Sequence, residues 1–101
     1  MPDPTRLILE KPLTVRWVAE LKPVLHAALD QGGDRLVLGL AAVPQIDGAG
    51  YQLLRAFQRA LAARGKALLL EDADPKVAAR IRLAGGSDLF EAGAPAKVIS
   101  N

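Results

Sequence analysis

The stretch Val-Pro-Gln-Ile-Asp-Gly-Ala-Gly-Tyr, Val43 to Tyr51, joins an apolar run, Leu36 to Leu40, to a long amphipathic segment, Tyr51 to Arg64. It reads as the end of a buried strand, a turn and a helix N-terminus. Asp47 stands where an N-cap belongs, because a short carboxylate there accepts from the amides that open a helix. Gly48, Ala49 and Gly50 follow, so the backbone at the helix start is little shielded by side chains.

Working outward, the helix is expected from about Gly48 to Arg64. Gly50, Leu53, Leu54, Phe57 and Leu61 recur at helical spacing and form its buried stripe, while Gln52, Arg55, Gln58 and Arg59 fall opposite. The run before it, Arg35 to Leu40, has no polar alternation, which points to a central strand covered on both faces. Upstream, Arg6 to Glu10 reads as a first strand, and Val15 to Asp30 as a helix with Thr14 as its N-cap. Val18, Leu21, Leu25, Ala28 and Leu29 mark its apolar face, in phase across Pro23, so a kink is expected there and not a break. Gln31-Gly32-Gly33 ends it.

Downstream, Gly65 stops the central helix and Lys66 to Glu71 forms the next strand. Asp74-Pro75 is an N-cap followed by proline at the first helical position. Val77, Ala78, Ile81 and Ala84 give a short apolar face, and Gly85-Gly86 ends it. Ser87 to Phe90 reads as a single turn that plugs Leu89 and Phe90 into the core, and Lys97-Val98-Ile99 as a final edge strand. The order is β-α-β-α-β-α-(β), an α/β domain with right-handed parallel crossovers.

The 101 residues suffice for one small domain, 1–101, with residues 1–5 expected to be loose. Half are hydrophobic and four are aromatic, so the core is aliphatic. Thirteen basic residues against eleven acidic leave +2, without the clustered charge and aromatics that nucleic acid requires. The absence of cysteine excludes disulfides and thiol chemistry, and a lone histidine, His26, excludes a multi-histidine metal site within one chain. No stretch approaches the ~20 apolar residues of a membrane span, and the N-terminus has no apolar signal core, so a cytoplasmic protein is expected.

Three pieces, in the right order and spacing, resemble the STAS domain of anti-sigma factor antagonists: Leu38-Gly39-Leu40-Ala41 followed by Ile46-Asp47-Gly48-Ala49-Gly50, then Gly65-Lys66-Ala67-Leu68, then Leu83-Ala84-Gly85-Gly86-Ser87-Asp88-Leu89-Phe90. The resemblance implies a mixed, mostly parallel sheet of four to five strands with about four helices. It implies a non-catalytic regulatory protein that binds an anti-sigma ATPase of the histidine-kinase-like class around the Asp47 loop and second helix. On this chain that surface is Asp47, Gly48, Ala49, Tyr51, Gln52 and Arg55. In the family, the residue after the Asp is the phosphorylated Ser or Thr. Here it is Gly48, a degenerate phosphosite with no hydroxyl to modify. STAS relatives also serve as accessory subunits of ABC-type phospholipid transporters, docking on the ATPase, and in chemotaxis signalling, whose Asp-x-Ala-Gly-x-Gln-Leu-Leu stretch is matched by Asp47 to Leu54.

Each residue also has a plainer role. Asp47 can be only a cap, and Tyr51 and Arg55 either form an exposed patch with Gly48 or are ordinary surface. The Gly48–Gly50 amides can hold an anion, which would make a nucleotide or small-ligand module, but Asp47 already occupies that place and no P-loop follows. His26 has no serine placed near it and reads as structural. Trp17 reads as edge packing or the anchor of a homodimer. Glu71, Asp72 and Asp74 read as a solvated strand end and a cap, not a metal site. No nucleophile–base pair can be assembled, so neither enzyme activity nor a cofactor is expected.

Overall fold

The computed structural model describes residues 5–31 and 33–90. Three strands, β1 (Thr5–Ile8), β2 (Arg35–Gly39) and β3 (Ala67–Glu71), form a parallel sheet in the order β1-β2-β3. Three helices follow the strands: α1 (Val15–Ala28), α2 (Gly48–Ala62) and α3 (Pro75–Leu83). A 3-10 turn, Ser87–Phe90, comes last. The α/β class is as expected. The counts differ: the described residues hold three strands, all parallel, where four to five in a mixed sheet were expected, and the expected strand at Lys97–Ile99 lies outside them. Thr5, expected in a loose N-terminus, is the first residue of β1 and pairs with Leu36.

Strands in sequential parallel order need crossover helices, and right-handed crossovers put α1 and α2 on the same face of the sheet. Leu36 and Leu38 of β2, and Leu68 and Leu70 of β3, turn into that face and join one core with Leu21, Leu25, Leu54, Phe57 and Leu61. Each fully buried leucine contributes about 2 kcal/mol through the water-exposed area it removes. β2 is buried along Leu36 to Gly39, as its unbroken apolar run predicts. On the opposite face, Arg6 of β1 and Glu71 of β3 form an ion pair across β2.

Three helix ends are fixed by specific bonds. α2 stops where Gly65 takes φ +73° and the amides of Gly65 and Lys66 bond the carbonyls of Ala62 and Leu61. α3 stops in the same way at Gly85, φ +95°. The Lys66 ammonium donates to the carbonyls of Leu29 and Gln31 at 2.9 and 2.8 Å, closing the C-terminal end of α1. α1 runs unbroken through the exposed Pro23. Leu89 is fully buried and Phe90 packs beside it, so the last turn is the plug that its sequence suggested.

Leu13 is more important than its place in the sequence suggests. It forms an isolated parallel bridge with Ile46: its N–H donates to Gln45 O at 2.9 Å and its carbonyl accepts from Asp47 N–H at 3.0 Å. The short segment before α1 therefore runs alongside the segment before α2. Gly50 lies against it so closely that a Cβ there would stand 1.8 Å from the Leu13 carbonyl oxygen. At Gly48 a Cβ would meet nothing within 4 Å. Gly50→Ala is therefore expected to cost about 3 kcal/mol by forcing two backbones apart, and Gly48→Ala to change stability by less than about 0.5 kcal/mol. Urea unfolding of the two variants checks this contrast.

Candidate functional site

The site is built around Asp47, which caps two helices. One carboxylate oxygen accepts from Gly50 N–H at 3.0 Å, the cap of its own helix α2. The other accepts from Val15 N–H, also at 3.0 Å, the first amide of α1. Thr14, the expected cap of α1, makes no side-chain cap bond. The Leu13–Ile46 bridge instead brings the Asp47 carboxylate to the Val15 amide at the start of α1, while Trp17 N–H bonds the Thr14 backbone carbonyl. The Val15 amide, then the Gly50 amide, holds the Asp47 carboxyl below its usual pKa. With both oxygens engaged, Asp47 is not poised as a general base.

Gly48 and Gln52 are exposed, and Ala49 and Tyr51 are half-buried. Arg55 is not part of an exposed patch. All five of its N–H donors are used inside the chain. Nε donates to the Tyr51 hydroxyl at 2.8 Å. One terminal nitrogen donates to Gln58 Oε1 and Asp88 Oδ2, at 2.6 and 2.9 Å. The other donates to the Gly85 carbonyl and Asp88 Oδ1, at 2.8 and 2.7 Å. Arg55 thus clamps α2 to the end of α3 and to the last turn. The Asp88 carboxyl is held below the usual range, chiefly by its hydrogen bonds from Arg55. The expected exposed Tyr51–Arg55 patch fails because Asp88, distant in sequence, folds back onto the guanidinium.

Between α2 and α3 lies a groove of about 670 Å³. Asp47, Gly48, Tyr51 and Gln52 line one wall, and Arg80 and Leu83 belong to the other. Leu83 is 88% exposed and Val15, which abuts Asp47 through its amide, is 72% exposed. Two of the four exposed large hydrophobic residues among those described therefore flank the start of α2. Sequence reasoning did not place Arg80, Leu83, Asp88 or Val15 at the site, because their approach to the start of α2 is set by segments distant in the chain. The Arg80–Leu83 spacing, a cation and an apolar residue on the outer face of α3, was the one available signal.

The remaining candidates take structural places. His26 is exposed, and Trp17 packs at the edge of the core with the Lys11 ammonium 4.6 Å from its ring centroid. Asp74 caps α3 by accepting from Lys76 N–H at 2.8 Å, and Glu71 pairs with Arg6. No helix among the described residues is long and apolar enough to cross a membrane.

Two predictions follow from this geometry. Asparagine offers one acceptor where Asp47 offers two, so Asp47→Asn should lower the melting temperature less than Asp47→Ala does. Amide exchange should speed up at either Val15 or Gly50 in the asparagine variant, and at both in the alanine variant. Arg55→Met should cost about 1–2 kcal/mol after allowance for the exposure of Asp88. The depressed pKa of Asp88 means that its contribution is complete above the unfolded carboxyl pKa, about 3.9, and is lost as pH falls through the lower folded value. Arg55→Met should therefore lose less stability than the parent between neutral pH and that acidic range, as urea midpoints measured across pH will show.

Comparison with known proteins places this geometry in a family. The profile of the family described as "Mlab, STAS domain" matches residues 2–91. A solved sulfate transporter family protein from Wolinella succinogenes superposes with a TM-score of 0.71 at 22% identity, over 88% of this chain and 72% of that one. The STAS domain of a SulP transporter from Vibrio cholerae superposes with a TM-score of 0.66 at 24% identity, over 89% and 70%. At those identities the likeness is one of fold. No curated protein matches the chain. With the profile covering all but the ends of the sequence, the chain belongs to the STAS domain family.

Proposed function

We propose that this chain is a non-catalytic, protein-binding regulatory domain that docks on a larger partner through the surface where α2 begins, without a phosphorylation switch. The observation that carries this reading is the open backbone at Gly48. It is exposed, a Cβ there would meet nothing within 4 Å, and exposed Val15 and Leu83 flank it. The family's hydroxyl is thus missing for no packing reason. A partner backbone can approach closely where a phosphoserine would otherwise stand. Gly48, Ala49, Gln52 and the outer edge of Tyr51 form the contact surface. Asp47 and Arg55, engaged within the chain, hold its two sides in place.

The partner we favour is the ATPase of a transporter. The two solved structures named above carry transporter names, one a sulfate transporter family protein and the other the STAS domain of a SulP transporter, and the matching family carries the name Mlab. For a permanently docked subunit the loss of a phosphorylatable residue has little consequence. An anti-sigma ATPase or a chemotaxis component would instead make the chain an antagonist or adaptor that is always in its binding state.

Capture of the tagged protein from its own cells, with mass spectrometry of what accompanies it, tests the reading. The parent should bring down a transporter ATPase. Gly48→Arg should lose it while keeping the parent melting temperature. An anti-sigma or chemotaxis protein in its place would change the pathway and retain the docking face. Equal capture by both forms, or a clean bait, would reject it.

A further inference from the structure

Among the described residues, one wall of the groove between α2 and α3 carries a positive charge with no acidic partner. Together the two helices carry Arg55, Arg59, Lys76, Arg80 and Arg82 and no acidic residue. Arg55 is neutralised by Asp88. Arg82 lies over the Phe90 ring, 4.5 Å from its centroid. Asp47, the acidic residue of the groove, has both oxygens on backbone amides. Arg80 lines the groove, is exposed, and forms no ion pair among the described residues. Leu83 follows it at i+3 on the same face, and Lys76 precedes it at i−4. A cation beside a leucine that is almost wholly in water is a poor free surface and a good half of an interface.

From this charge balance, the structure assigns to the groove an acidic, amphipathic segment of the partner protein. One carboxylate of that segment pairs with Arg80, and an apolar side chain about one helical turn away covers Leu83. This assignment rests on the docking face proposed above and specifies the chemistry of its occupant. An ion pair at the rim of such a groove speeds association and makes it salt-dependent, and the covered leucine slows release.

The probe is a phage-displayed library of random dodecapeptides selected on the immobilised full chain. Enriched peptides should carry Asp or Glu three or four positions from Leu, Ile or Phe. Arg80→Glu should weaken them about tenfold and flatten the dependence of affinity on salt. Leu83→Asp should weaken them as well, whereas Arg59→Glu, away from the groove, should not; melting temperatures confirm that all three variants fold. Absence of enrichment, peptides without acidic residues, or affinities unmoved by Arg80→Glu would overturn the assignment. Capture of the cellular partner separates the two readings. If Gly48→Arg abolishes capture and Arg80→Glu does not, the acidic occupant is rejected and the docking face stands. If neither does, both fall.

Discussion

The Asp47 carboxylate lies between the N-termini of two helices, accepting from Val15 N–H on one side and Gly50 N–H on the other. A helix start leaves four amides without intrahelical partners and carries a partial positive charge, and here one anion serves two such ends. It can do so because the Leu13–Ile46 bridge draws the two approaches together. The bridge in turn requires that α2 begin with almost no side-chain bulk, which is why position 50 is glycine. Bridge, carboxylate and glycine are one arrangement. Loss of any part frees the others.

That arrangement separates structure from surface within three residues. Gly50 is buried against the Leu13 carbonyl and has no freedom to vary on packing grounds. Gly48, two residues earlier, faces open space. Its bare backbone lies beside a groove. The Asp47 caps hold one side of that groove, and the Arg55–Asp88 clamp holds the other, setting the position of α3 and therefore of Arg80 and Leu83. The residues that shape the surface most are thus the ones least available to a partner.

Much of this was legible in the residues themselves. The stripe Gly50, Leu53, Leu54, Phe57 and Leu61 is the set of residues that α2 buries, because a 3.6-residue period leaves one face to water whatever the fold around it. Asp47 and Asp74 as caps, Gly65 and Gly85 as stops, and β2 as the covered strand follow from local chemistry in the same way. Pro23 shows the limit of a local rule: the apolar face of α1 continues in phase past it, and packing carries the helix through a lost hydrogen bond.

What the tertiary structure alone decided depends on residues far apart in the chain. The cap of α1 comes from a carboxylate 32 residues away, and Thr14, the local candidate, is passed over. Arg55 reads as free surface in helical projection, yet Asp88, 33 residues on, returns to pair with its guanidinium. The groove exists only because α3 ends opposite the start of α2, which no periodicity reports. Sequence by itself determined the elements and their buried faces, since those depend on spacing over a few turns, and its motifs carried the resemblance to the family. The pairing of charges and the shape of the surface required the fold, because they arise where separate segments meet.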